Sequence, residues 1–237
     1  MSRHGLFIGT SGYSYEGWKG PFYPEDTPAR KMLSFYSSRL STVEINNTFY
    51  RLPRREVLEN WGAQVPDSFR FAIKASRRIT HQRRLNEGSE SPLRYLLENV
   101  EALGDKLGTL LFQLPPNMKL NLERLESFLA YLPDGLHAAF EFRNESWFDD
   151  TVYEALRRHN AALVLADTDD EERNPPFVRT ADWGYLRLRR TSYDDGMLQR
   201  WAERLSEPGW KEAFVYFKHE DAGAGPAMAA RLEEMIQ

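Results

Sequence analysis

The chemistry open to this chain begins with acids placed at the ends of apolar runs. Thr42-Val43-Glu44-Ile45-Asn46 opens as a β-branched run suited to a buried strand, then sets a carboxylate and an amide where that strand would end. A carboxylate in such a place is costly unless it has partners or a task. Glu141, inside Phe140-Glu141-Phe142, and Asp167, after Ala162-Leu163-Val164-Leu165-Ala166, close two further runs in the same way. Glu44 and Glu141 could act as a general acid and a general base if burial and mutual repulsion drive their pKa values apart. That is the equipment of a hydrolase or an isomerase, glycoside hydrolysis being one instance. A structural ion pair with Lys74 or Arg143 accounts for either acid equally well.

Cations stand at other run ends. Lys74, Arg143 and Arg187 would hold a phosphate or carboxylate group. Residues 74–84 carry five formal positive charges and no acid. For Arg77, Arg78, Arg83 and Arg84 a solvated loop is the plainer explanation, whereas Lys74 sits directly at a strand end. Tyr13, Asn46, His81, Gln113, Asp167 and His219 are the groups that would orient a small anionic or sugar-like substrate.

Metal binding is the third option. Of five histidines only His81 and His219 fall near the expected site, and no His-x-His or His-Glu-x-x-His occurs. A divalent ion held by Glu44, Glu141, Asp167 and His219 would be a hard cation rather than zinc. Residues 11–24, rich in Gly, Tyr and Trp, match neither a phosphate-binding Walker loop nor a dinucleotide fingerprint, so no nucleotide cofactor motif is present. Trp18, Phe22 and Tyr23 read as anchors of that loop, and Tyr13 as its member in the pocket.

These residues need a scaffold that brings strand ends together. Apolar runs at 6–10, 42–45, 69–74, 109–114, 138–142, 162–166, 185–188 and 214–217 read as strands, with a short piece expected at 175–178. Helical patterns start near Pro28, Arg54, Pro92, Leu122, Asp150, Leu198 and Pro226. Several runs are continuously apolar, as parallel strands covered on both faces should be. The expectation is an α/β protein, one (β/α)8 barrel of the TIM type spanning residues 1–237, with an open doubly wound sheet as the fallback. In such barrels chemistry sits at the C-terminal strand ends. Those ends carry Thr10, Ser11 and Tyr13; Glu44 and Asn46; Lys74; Gln113; Glu141 and Arg143; Asp167; Arg187 and Arg189; and Lys218 and His219.

The totals agree with that scaffold. A barrel of this kind typically needs ~250 residues, and the chain has 237, of which 41% are hydrophobic. Cysteine is absent, which removes disulfides, thiolate catalysis and cysteine-bound zinc, and fits a reducing compartment. The N-terminus is too short of apolar residues for a signal peptide, and no run approaches the ~20 residues of a membrane span. A cytoplasmic protein without a membrane partner is expected. A formal charge of −4 argues against indiscriminate polyanion binding.

Ile8-Gly9-Thr10-Ser11-Gly12-Tyr13-Ser14-Tyr15 with Trp18, followed by Val43-Glu44-Ile45-Asn46 with Thr48-Phe49-Tyr50, resembles the opening of YecE-like proteins. Phe71-Ala72-Ile73-Lys74 with Ile79-Thr80-His81, Leu111-Phe112-Gln113-Leu114-Pro115-Pro116, Phe140-Glu141-Phe142-Arg143 with Ser146-Trp147-Phe148, and Tyr216-Phe217 extend the resemblance over nearly the whole chain. Many members carry two asparagines after the last strand, where this chain has Lys218-His219. The resemblance implies a TIM-barrel-like fold and a family of unknown function. It also brings in, through the fold, metal-dependent endonucleases, whose several histidine ligands have no match here. The reading is thus a hydrolase or isomerase using carboxylate acid/base chemistry. The alternative is a nucleic-acid binder using residues 74–84 and the first-loop aromatics, or a divalent-metal phosphoesterase.

Overall fold

A computed structural model describes residues 5–236. Eight strands, β1 (Leu6–Ser11), β2 (Thr42–Ile45), β3 (Arg70–Lys74), β4 (Leu107–Gln113), β5 (Ala138–Glu141), β6 (Ala162–Asp167), β7 (Trp183–Leu188) and β8 (Glu212–Phe217), pair in chain order. All pairings are parallel, and β8 closes on β1. The result is a closed parallel β/α barrel, consistent with a TIM-like one, and the open-sheet fallback does not apply.

Helices α1 (Ala29–Ser37), α2 (Arg55–Ala63), α3 (Glu90–Val100), α4 (Leu122–Ala130), α5 (Asp150–Arg158), α6 (Asp195–Ser206) and α7 (Ala224–Ile236) follow strands β1 to β5, β7 and β8. Between β6 and β7 the described residues contain only a 3-10 turn, Glu171–Arg173. The short strand expected at 175–178 is a correction: this stretch is irregular, because Pro175 and Pro176 supply no ladder donors. Pro92 and Pro226 each lie third in a helix, where a missing N–H interrupts no intrahelical bond.

Two cores follow from strand alternation. Ile8, Val43, Ile73, Leu110, Phe140, Leu165, Leu186 and Val215 face outward to the helices. Their neighbours face inward, where Trp183, Tyr185, Phe214 and Tyr216 from β7 and β8 fill the barrel against Ala72, Ala139 and Ala162. Large against small fills the lumen without voids. At Gly9 the β1–β2 approach leaves no room for a side chain, since a Cβ there would lie 1.9 Å from the Thr42 carbonyl oxygen.

Candidate functional site

The inward alternation continues to the C-terminal mouth and decides what gathers there. It carries Ser11, Glu44, Lys74, Gln113, Glu141 and Arg187 into the lumen, with Arg189 and Lys218 one inward step beyond their strands. At the centre lies a buried ion triad, with Glu44 0%, Glu141 2% and Arg187 2% exposed. Arg187 donates Nη2–H to Glu44 Oε1 at 2.8 Å and Nη1–H to Glu141 Oε2. Glu44 Oε1 also accepts from Ser11 Oγ (2.8 Å) and Asn46 Nδ2 (2.9 Å), and its Oε2 from the Tyr185 hydroxyl (2.7 Å). Glu141 Oε1 takes Arg143 Nε at 3.1 Å and Arg189 Nη1 at 3.5 Å.

This wiring sets the charge states. Burial pushes the Glu44 carboxyl up, but Arg187 and the Tyr185, Asn46 and Ser11 donors outweigh it and hold it below the ordinary range. Burial likewise raises Glu141, and Arg187, Arg143 and Arg189 bring it down to about 2. Both acids are therefore ionised at neutral pH. Lys74 is shifted the other way, to about 8, by burial and by Arg187, against the opposing pull of Glu44 and Glu141.

Above the triad opens a cavity of about 440 Å3. Lys74, Arg143, Arg187, Arg189 and Lys218 line it with positive charge, and Glu220 is the one carboxylate on the lining among the described residues. Tyr15, Phe49, Tyr50 and His81 form an aromatic wall, and Asn46 and Gln113 add amides. The Lys74 Nζ lies 4.6 Å from the centre of the Phe49 ring.

Of the residues expected to form the site, Asn46, Lys74, His81, Gln113, Arg143 and Arg187 line this cavity, and Glu44 and Glu141 lie in the triad bonded to Arg187. Three do not. On β6, Ala162 and Val164 face inward, so Asp167 points out toward α6, where it accepts from Arg190 Nε (2.8 Å) and Trp201 Nε1 (3.1 Å) beside a separate cavity of about 310 Å3. His219 is displaced by the same rule, because Tyr216 and Lys218 are the inward positions. Its Nε2 pairs with the Arg190 carbonyl, and its ring packs by Tyr193.

Tyr13 is displaced by a turn. Gly12 at φ 93° ends the alternation, Tyr13 packs against Tyr36, and Tyr15 returns to the mouth by donating to the Ser11 carbonyl at 2.8 Å. The metal site imagined from Glu44, Glu141, Asp167 and His219 therefore does not assemble. Among the described residues no three His, Asp or Glu side chains converge as metal donors.

Sequence reasoning gave no role to Tyr185 or Phe49, named Arg189 and Lys218 only as residues at strand ends, and counted Tyr15 only among the first-loop aromatics. Two-residue counting from Arg187 and Tyr216 finds Tyr185, Arg189 and Lys218. Tyr15 and Phe49 depend on loop geometry that periodicity does not report. No helix among the described residues is long and apolar enough to cross a membrane.

Comparison with known proteins places this architecture. Residues 7–237 match the family described as "Protein of unknown function DUF72". The UPF0759 protein YunF of Bacillus subtilis is 32% identical over 98% of this chain and 94% of its own length. The UPF0759 protein YecE of Escherichia coli K12 is 29% identical over 57% of this chain and 52% of its own. A crystal structure of a DUF72 family protein from Thermotoga maritima superposes with a TM-score of 0.86 at 27% identity, covering 98% of this chain and 99% of that one. Another, from Enterococcus faecalis, shares the fold at a TM-score of 0.80 and 20% identity, over 98% and 95% of the two chains. In sequence and in barrel alike, the chain belongs to the YecE-like DUF72 family of proteins of unknown function.

Proposed function

We propose that the barrel mouth binds a small ligand bearing a phosphate or carboxylate group beside a flat or sugar-like body. The observation that carries this is the distribution of charge. Every oxygen of Glu44 and Glu141 already accepts a donor within the protein, while the cavity above them presents five cations against Glu220. Arg143 and Arg189 each give one N–H to Glu141 and keep the rest of their guanidinium forks for a planar anion.

A hydrolase or isomerase built here would use its carboxylates differently from the acid/base pair that the sequence suggests. Both are ionised, with every oxygen hydrogen-bonded, so neither holds a proton to give near neutral pH; their part is to fix Arg187. Lys74 and His81 are cavity groups that could exchange protons there: Lys74 is brought down to about 8, and burial first, then Lys74 and Arg143, lower the His81 pKa and leave its ring an unprotonated acceptor at neutral pH. We place this activity in the cytoplasm, for which the cysteine-free composition is the support. Calorimetric titration with inorganic phosphate, sugar phosphates and the matching neutral sugars tests the proposal. Anions should bind, neutral sugars should not, and Arg189→Met should weaken the anions. Equal binding of neutral sugars, or no binding of any anion, would overturn it.

One further observation favours a nucleic-acid partner as the second reading. Beside the mouth, and sharing Tyr50 with it, lies a groove of about 630 Å3 whose lining holds Arg51, Arg54, Arg78 and Arg83 and, among the described residues, no carboxylate. Tyr50 and Tyr95 are exposed at 70% and 41% on the same groove. Exposed tyrosines between arginines suit stacked bases and backbone phosphates. Labelled oligonucleotides should then bind with a steep loss as salt rises, and no binding at low salt disposes of this reading.

A further inference from the structure

Among the lysines with no ion pair in the described residues, Lys31, Lys119 and Lys218 are exposed, whereas Lys74 is half-buried. Lys19, Lys106 and Lys211 each hold a carboxylate at 2.7 to 3.1 Å. The Lys74 ammonium has no hydrogen bond or ion pair among the described residues, although two buried carboxylates share its mouth. Those carboxylates are turned to Arg187 instead. What faces the Lys74 amine is the Phe49 ring, with the cations of Arg143 and Arg187 around the same cavity. Burial and the neighbouring positive charge of Arg187 both disfavour an ammonium and outweigh the attraction of the Phe49 ring face, which is how a lysine becomes a nucleophile. Its pKa of about 8 agrees with that geometry.

We propose that Lys74 attacks an aldehyde or ketone carbonyl of the anionic ligand and forms an imine with it, so that the mouth takes phosphorylated or carboxylated carbonyl compounds. This rests on reading the mouth as an anion site. The amine lone pair forms the C–N bond while the carbonyl π electrons move to oxygen. That oxygen gains protons and leaves as water, the nitrogen gives up its protons, and the C=N bond closes with no further reactant. His81 packs edge-on against the same Phe49 ring, 4.9 Å between ring centres, and its Nδ1 is paired with Thr80 Oγ1 at 2.9 Å. Its Nε2 has no partner among the described residues and is the ring nitrogen left to carry these protons. The carbonyl would sit between Lys74 and His81, and the anion toward Arg143, Arg189 and Lys218.

The probe is pyridoxal 5′-phosphate, an aldehyde and a phosphate in one molecule, reduced in place with sodium borohydride and located by peptide mass mapping of the full chain. One equivalent should be fixed on Lys74 at low probe concentration, and inorganic phosphate should protect it. Pyridoxal, lacking the phosphate, should label about tenfold less, the worth of one charge-assisted contact. The labelling rate should be half-maximal near pH 8, below the ~10.4 of an ordinary lysine. Lys74→Arg should abolish the adduct. Label on Lys218, label spread over surface lysines, or no label would overturn the imine proposal. Phosphate binding without an adduct overturns the imine and leaves the anion site standing. An adduct on Lys74 that phosphate neither protects nor requires leaves the nucleophile standing and overturns the anion site.

Discussion

At the scale of single residues, Arg187 is the keystone, and its effect on stability has a definite sign. It is buried between two carboxylates whose desolvation it offsets, so removing it strands both. Arg187→Met should cost about 3–5 kcal/mol at pH 7, the usual penalty for breaking a buried ion pair. The pH dependence follows from Glu141. Its folded pKa, about 2, lies below the ~4.3 of an unfolded glutamate, so the native state binds fewer protons between those values. The stabilisation is therefore complete above ~4.3 and is lost as pH falls through about 2. In Arg187→Met the carboxyls lose their counter-charge and burial raises their pKa values, so acid relieves the variant instead. Urea unfolding of both proteins from pH 7 to 3 should show the gap narrowing; a constant gap would mean that Arg187 acts by packing rather than by charge. Tyr185, whose hydroxyl reaches Glu44, should behave more mildly. Tyr185→Phe should cost about 1–3 kcal/mol, read as a lower thermal midpoint.

At the scale of elements, the two-residue period of a strand separates what the sequence could reveal from what it could not. Continuous apolar runs made the eight strands legible, and with them the rim on which Glu44, Lys74, Gln113, Glu141 and Arg187 meet. Proximity to a strand end is a weaker guide than parity. Asp167 and His219 sit one residue out of phase and face the helices, while Tyr185 and Lys218 are in phase and face the lumen. Beyond a strand even parity fails, because a turn resets it. Gly12 is such a reset: its φ is 93°, and a Cβ there would lie 2.3 Å from the Tyr15 hydroxyl. Gly12→Ala should cost roughly 1–2 kcal/mol in backbone strain and push Tyr15 from the mouth. Anion binding should weaken in step. Gly17→Ala, in the same loop with no atom within 4 Å of the new Cβ, is the control and should leave binding unchanged. Calorimetry on the pair checks this, and equal losses would remove the turn from the account of the site.

At the scale of the whole molecule, the two ends of the barrel differ in character. The N-terminal end is a floor of stacked rings, with Phe7 on Phe214 at 4.9 Å and His137 on Trp183 at 4.5 Å, and Arg70 lies over Phe7. The C-terminal end is a ring of charge and polar groups, the charges coming from or just after β2, β3, β5, β7 and β8, and closure of β8 on β1 brings Ser11 and Lys218 to the same mouth as Glu141. Rigid strands lie between the two ends, and packing changes in the floor should be absorbed there. Trp183→Phe removes buried ring area and the Nε1–H bond to the Asn160 carbonyl. It should cost a good part of the ~3–5 kcal/mol that a buried Trp→Ala change costs, yet leave anion affinity unchanged at temperatures where the variant is folded. Lys218→Ala, on an exposed side chain at the mouth, should do the reverse, holding the unfolding midpoint and weakening the anion several-fold. Denaturant unfolding and phosphate titration of the two variants side by side give the comparison. If the floor variant lost affinity as the mouth variant does, floor and mouth would be one coupled unit, and the strands between them would transmit strain rather than isolate it.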